Sequence, residues 1–464
     1  MTISDDINRR DSNQLGQEMH DFAAELYPIC RSITGNGIRQ TLDKIGHRIP
    51  LQTFEVSSGT SVFDWTVPKE WNIKDAYIAD QCGRRLVDFH NCNLHVVNYS
   101  IPVHTKVSFE ELSNHLFTMP EHPEWIPYRT SYYKEDWGFC LSHNQMQSLD
   151  HGPEYEVCID SSLTDGSLSY GECYLPGEIT DEILISCHAC HPSLANDNLS
   201  GVTVATFLAE VLSHLDLRYS YRFLFVPGTI GAITWLARNQ QHVDRIRHGL
   251  ILTCVGDDGP FHYKKSRRGN AEVDRAAAVV LKHEGEPAEI LDFSPYGYDE
   301  RQYCSPGFNL PMGCLMRSVW GTFPEYHTSA DNLEFIRPGR LADSLHVCLS
   351  ILDVLENNRR YHNLNPYCEP QLGRRNLYSS TGGGHTIGDE INARLWVLNL
   401  SDGQHNLLDI SERSGMPFSL IRDAAHLLRD NGLLALGGED VNARPTGLES
   451  SPTKHSTALE SSPI

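Results

Sequence analysis

His188, His191 and Asp197 fall within one short stretch, ILISCHACHPSLANDNLSG (Ile183–Gly201), with Cys187 and Cys190 beside them. Imidazole nitrogen, thiolate sulfur and carboxylate oxygen are the donors that hold zinc and related divalent ions. Three further stretches repeat these types: Gly256-Asp257-Asp258-Gly259, Tyr298-Asp299-Glu300-Arg301 and Glu325-Tyr326-His327-Thr328-Ser329-Ala330-Asp331-Asn332. Singly, each reads as a solvated loop. Together they supply two His and two Asp from separate strand ends, a hydrolytic zinc pattern in which the ion polarises a carbonyl and acidifies a water.

The elements that must position these residues are legible. Ile183-Leu184-Ile185-Ser186 is an apolar run of strand length. Pro192 and Asn196-Asp197-Asn198 signal a turn. After Gly201, Val202–Leu215 has helical spacing. The order strand, donor-rich loop, helix places the donors at the carboxyl end of a strand, where open α/β sheets keep their sites. The alternation fills residues 176–365, with strands at Glu182–Ser186, Tyr221–Val226, Gly249–Cys254 and Pro311–Leu315. Helices are expected at Gly201–Leu215, Ala232–Asn239, Asp274–His283 and Gly339–Asn357. The reading is an α/β core, a mostly parallel sheet covered by helices.

Around this core the texture changes. Residues 16–60 read as helices followed by a strand, an N-terminal part of the same domain. Residues 61–175 are rich in Trp, Tyr, His and Pro with short β-like runs, and read as a β-rich insert. Such an insert is either a wall over the site or a passive addition. Residues 386–440 hold three short helices and a strand, the pattern of a winged helix, and the Ser/Pro/Thr-rich tail 441–464 reads as disordered.

Composition excludes some classes. The net charge is −22, from 60 acidic and 38 basic residues, which argues against a nucleic-acid or anionic-membrane binder. Between Asp389 and Leu436 seven acidic residues face four Arg and no Lys, so the winged helix is expected to contact protein, including a second copy of the chain, and not DNA. No apolar run approaches the roughly 20 residues that span a bilayer. The first residues lack an apolar signal core, which predicts a cytoplasmic protein. The 13 Cys follow no disulfide framework.

ANDNLSG after a strand-borne His, the downstream LTCVGDDG, and PEYHTSADNL resemble the co-catalytic zinc aminopeptidases. More narrowly, LYPICRSITGNGIRQTL and SVFDWTVPKEWNIKDAYI are similar to their bacterial aminopeptidase-like relatives, which add a β insert and a C-terminal winged helix. The resemblance spans roughly residues 20–440. It implies a metal-dependent hydrolase that cleaves an aminoacyl amide of a small molecule or peptide. It assigns His188 and Asp257 to one Zn2+, His327 to a second, and Asp197 as their bridge. His191 replaces or supplements His188, and Cys190 stands where the peptidases place an Asp that orients the ligand His. A single ion on His188, Asp197 and His327 is an equally simple layout.

One departure is sharp. The peptidases carry two glutamates, general base and metal ligand, where this chain reads Pro227-Gly228-Thr229-Ile230-Gly231. Gly228 leaves the base position empty, so the alternative reading is a metal-binding pseudoenzyme or scaffold. Glu300 and Glu325 are the nearest substitutes. A Gly228→Glu change is expected to raise activity unless a positive φ requires glycine there. Asp299, Arg301 and Tyr326 are candidates for holding the substrate, an Asp–Arg pair being as plausible a structural device. The basic run Lys264–Arg268 reads as a solvated loop.

Overall fold

In a computed structural model, residue 3 and residues 11–150, 154–378 and 388–437 are described. The chain divides into two units, Met1–Glu356 and Asn357–Ile464.

The strand Glu182–His188 is buried at every residue. That follows from its place: it pairs in parallel with Ser220–Val226 on one side and Ile246–Leu252 on the other. Strands covered on both faces and both edges can be apolar throughout. Its one charged residue, Glu182, is neutralised by the Arg222 guanidinium at 2.7 Å. The sheet has eight strands, in the order Gln52–Ser57, Ser167–Leu175, Ser220–Val226, Glu182–His188, Ile246–Leu252, Met312–Met316, Phe261–Lys264, Ala288–Leu291. The four central strands are parallel and the flanks are mixed. Helices Gly201–Leu212, Ile230–Asn239, Glu272–His283 and Pro338–Asn357 follow the strands as expected. Gly201–Leu212 is buried at all but one residue, so it packs within the protein, not at its surface. Among the described residues, no helix is long and apolar enough to cross a membrane.

The β-rich insert forms its own antiparallel sheet, Arg85–Asp88, Glu70–Ala79, Glu154–Thr164 and Val103–Ser108, with a separate core that includes Ile78, Val107, Phe139, Val157 and Ile159. It ends earlier than residue 175. Ser167–Leu175 instead joins the central sheet, pairing with Gln52–Ser57 and Ser220–Val226. The short turn between Glu154–Thr164 and Ser167–Leu175 passes the chain from one sheet to the other without a change of composition, so the sequence carries no mark of the boundary.

The C-terminal unit has helices Asp389–Leu400, Leu407–Ser414 and Phe418–Asp430 and a three-stranded antiparallel sheet of Asp402–Asn406, Arg360–Asn363 and Leu434–Leu436. The unit therefore begins before residue 386, because its central strand comes from Arg360–Asn363. The tail expected to be disordered lies outside the described residues.

Candidate metal centre

His188 is the last residue of its strand, in register with Val226. The chain turns at Ala189, whose N–H donates to the Val226 carbonyl, and reaches His191. The segment Ala195–Ser200 then brings Asp197 back over the strand end, with non-helical backbone at Asp197 (φ −109°, ψ 83°). Its asparagines act as backbone substitutes. Asn198 Nδ2 donates to the Leu252 carbonyl (2.9 Å), and its Oδ1 accepts the N–H of Gly201 (3.2 Å) and Cys254 (3.3 Å). Asn196 Oδ1 accepts the Gly256 N–H at 2.9 Å. The Asp331 carboxylate accepts the N–H groups of Asn196 (2.5 Å) and Asp197 (2.9 Å). The Asn-Asp-Asn turn is thus pinned to two other loops, which fixes Asp197.

The donors converge on that carboxylate. Asp197 Oδ1 lies 2.8 Å from His188 Nε2, and Oδ2 lies 3.0 Å from His327 Nε2. Ligand atoms of His188, His191 and Asp197 all lie within 4.8 Å of one another, and all three residues are buried. His327 is about one-third exposed (34 %) and has φ 57°, a left-handed backbone uncommon outside glycine. The insert helps to hold it: Tyr128 N–H donates to the His327 carbonyl (2.7 Å), and Ser329 N–H donates to Ile126 (2.8 Å). The insert is therefore a wall of the site. Tyr326 stacks on His327 with centroids 4.0 Å apart, and Tyr128 meets both His327 (5.1 Å) and His191 (5.2 Å) edge-on.

The electrostatics suit a cation. Burial opposes ionisation of Asp197, yet the hydrogen bonds from His188 and His327 hold it well below the usual carboxylate range. Burial pushes His191 well below its ordinary value, outweighing Asp197, so its imidazole is neutral with a lone pair to offer. Three imidazoles and one ionised carboxylate in a water-poor setting fit zinc in number and in donor type.

The remaining candidates are placed differently. Asp257 does not join the donors. Its carboxylate is occupied by Asn196 Nδ2 (2.7 Å), Ser318 Oγ (2.6 Å) and the Gly259 N–H (2.7 Å), a structural clamp between loops. Glu300 is fully buried, ion-paired to Lys264 Nζ at 2.8 Å, and accepts the Tyr298 N–H at 2.9 Å, so it is not free to act as a base. Lys264 correspondingly leaves the solvated basic run and is buried. Asp299 is fully buried and, among the described residues, neither oxygen has a hydrogen-bond partner. Burial, then the charge of Glu300, raises its pKa far above the usual range. A buried neutral carboxyl is no handle for a substrate amine, and Arg301 is exposed without pairing to it. Cys190 stays a thiol, pushed by burial to about 12, and its sulfur accepts the Gly228 N–H at 3.4 Å. It props the turn and does not join the donors. Glu325 is half-buried in the His327 loop. Gly228 is not at positive φ; the ring of Tyr298 stands where its side chain would go.

Sequence reasoning passed over three residues that matter here. Arg31, 1 % exposed, donates through Nε to the His191 carbonyl (2.9 Å) and through Nη1 to the Leu26 carbonyl (2.6 Å). An arginine inside LYPICRSITG was the available signal. Tyr128 carried none, since aromatics are ordinarily core, and Tyr298 stood in the stretch Tyr298–Arg301 without a role of its own. A cavity of about 570 Å3 opens beside Ser193, lined by Tyr27, Cys30, Trp71 and Asn93 among others, yet it touches none of the donors.

Comparison with known proteins agrees with this architecture. A protein from Clostridium acetobutylicum, provisionally named a polysaccharide biosynthesis protein with aminopeptidase-like domain, is 52% identical over 93% of this chain and all of its own length. A crystal structure of a provisionally named peptidase from Clostridium acetobutylicum is 52% identical, with TM-score 0.89 over 94% of this chain and 99% of that one. A zinc aminopeptidase from Bacillus subtilis shares the fold at 12% identity, with TM-score 0.55 over 74% of this chain and 95% of its own. An M28 peptidase precursor from Shewanella amazonensis does so at 16% identity, TM-score 0.53, over 76% and 97%. A winged helix-turn-helix model matches residues 359–436, and the model of a domain of unknown function, DUF4910, matches residues 20–358. With that match and that identity, the chain belongs to the DUF4910 family, an aminopeptidase fold that here carries a C-terminal winged helix.

Proposed function

We propose that this chain is a zinc-dependent hydrolase that cleaves the amide bond between an aminoacyl group and a small molecule or peptide. The observation that carries the reading is the convergence of His188, His191 and His327 on the Asp197 carboxylate. His188, His191 and Asp197 would hold one ion; His327, on the other Asp197 oxygen, would join them or serve a second ion. Zinc in such a site supplies a Lewis acid and lowers the pKa of a water.

The chain's own residues supply the rest. Tyr128, Tyr326 and Tyr298 surround the histidines, so bulk water is thinned and charges act at greater strength. Glu325 is our candidate for the proton-accepting group. It lies two residues before His327, half-buried, and among the described residues its carboxylate has no hydrogen bond or ion pair. The relative's provisional assignment to polysaccharide biosynthesis directs the search towards aminoacyl amides of amino sugars.

Metal analysis beside turnover of aminoacyl-anilides and aminoacyl amino sugars tests this. One or two zinc ions per chain and measurable turnover are expected. Protein without zinc would refute it. Zinc without turnover of any amide would favour a binding or scaffolding role, for which Gly228 at the usual base position speaks.

A further inference from the structure

Gly228 follows the strand Ser220–Val226 by two residues. A Cβ placed on it would stand 2.7 Å from both Cζ and Oη of Tyr298, and closer still to Cε1. Real Cβ atoms do not approach this near, so one of the two must yield. The same tyrosine ring lies against His188, with centroids 3.8 Å apart and planes tilted by 38°, and 6.0 Å from His191. Its hydroxyl is 3.9 Å from Cys190 Sγ, the atom that accepts the Gly228 N–H. Tyr298 is thus wedged between the Gly228 turn and the histidine at the strand end.

The wedge is braced from behind. Tyr298 N–H donates to Glu300 Oε2 at 2.9 Å, and Lys264 Nζ donates to Glu300 Oε1 (2.8 Å) and to the Tyr296 carbonyl (2.7 Å). Lys264 and Glu300 side chains are 3% and 0% exposed. A buried ion pair that clamps both the N–H of residue 298 and the carbonyl of residue 296 fixes this loop where a hydrophobic pair would not.

We propose that Tyr298 is a positioning residue of the metal centre: its ring takes the volume that a side chain at 228 would need and holds the His188 imidazole towards Asp197. A side chain at 228 and a tyrosine at 298 are then mutually exclusive. The ligand half of this inference rests on the zinc reading above; the steric half does not.

Thermal melting and competitive zinc titration against a chromophoric chelator on the full-length chain test both halves. The variants are Tyr298→Phe, Tyr298→Ala, Gly228→Ala and the double Gly228→Ala/Tyr298→Ala. Gly228→Ala should lower Tm in the presence of Tyr298 and have little or no effect in the Tyr298→Ala background. Tyr298→Phe should bind zinc within about twofold of wild type, whereas Tyr298→Ala should bind about 10–100-fold more weakly, the range seen when a ligand's support is removed. Additive Tm changes overturn the steric half. Wild-type zinc affinity in folded Tyr298→Ala, or loss in Tyr298→Phe as large as in Tyr298→Ala, overturns the ligand half. If Tyr298→Ala does not fold, Tyr298→Leu takes its place in the same cycle with the same criteria. A wild type that binds no zinc overturns the zinc reading and the ligand half with it; the melting cycle needs no metal and still decides the steric half.

Discussion

At the scale of single residues, the donors and their neighbours divide into groups with distinct expected losses. His327 faces Asp197 Oδ2 and is the donor nearest solvent. His327→Ala should lower zinc content or affinity with the fold intact, which elemental analysis and circular dichroism check together; unchanged zinc would remove His327 from the centre. Asp257 should behave oppositely. Its oxygens accept from Asn196, Ser318 and Gly259, so Asp257→Ala should lower stability by about 1–3 kcal/mol per unmet buried group while zinc stays bound. The two glutamates also separate. Glu325→Gln should cut turnover by about 10²–10⁴-fold without loss of metal. Glu300→Gln strands a buried Lys264, and breaking such a pair costs about 3–5 kcal/mol, so its signature is in urea unfolding.

At the scale of elements, the site is assembled by joints between the core and the insert. Arg39, on helix Asn36–Gly46, binds Glu55 on strand Gln52–Ser57 (3.0 Å) and Glu70 Oε1 on the insert strand Glu70–Ala79 (2.8 Å). The hydrogen bonds from Arg39 lead the causes that hold the Glu70 carboxyl at about 2, below its ordinary 4.5. A depressed carboxyl contributes stability that is fully present above the unfolded pKa and is lost as pH falls through the folded one. Urea unfolding should therefore show wild type more stable than Glu70→Gln by about 1–3 kcal/mol at pH 6, with the gap shrinking from about pH 4.5 towards pH 2. A gap that does not change with pH would mean that Glu70 acts through packing alone.

At the scale of the whole molecule, the charge distribution sets the expectation for the C-terminal unit. Helices Asp389–Leu400, Leu407–Ser414 and Phe418–Asp430 form a winged helix, the fold of many DNA readers. Yet the region from Asp389 to Leu436 carries seven acidic residues against four Arg. A phosphate backbone would be repelled where a reader needs Lys and Arg. Gel-shift titration of the full chain at low salt should show no sub-micromolar binding to duplex DNA; such binding would return a regulatory role to this unit.

The sequence alone determined the parts whose physics is local. Apolar runs of strand length alternating with helical periodicity specified the central parallel strands, and the donor-rich loops at their ends named His188, His191, Asp197 and His327. What it could not decide were matters of distance. Asp257 and Asp197 look alike as loop aspartates; only the tertiary structure gives one to Asn196 and Ser318 and the other to His188, His191 and, on its second oxygen, His327. Glu300 and Glu325 both sit in donor-rich loops, but one is claimed by Lys264, which is 36 residues away in the chain. Gly228 read as a missing base, and the reason for glycine there was Tyr298, 70 residues on. Periodicity reports which face of an element is buried; it carries no record of which side chain from a distant loop fills the space opposite, and at this centre that filling decides which residues remain free to do chemistry.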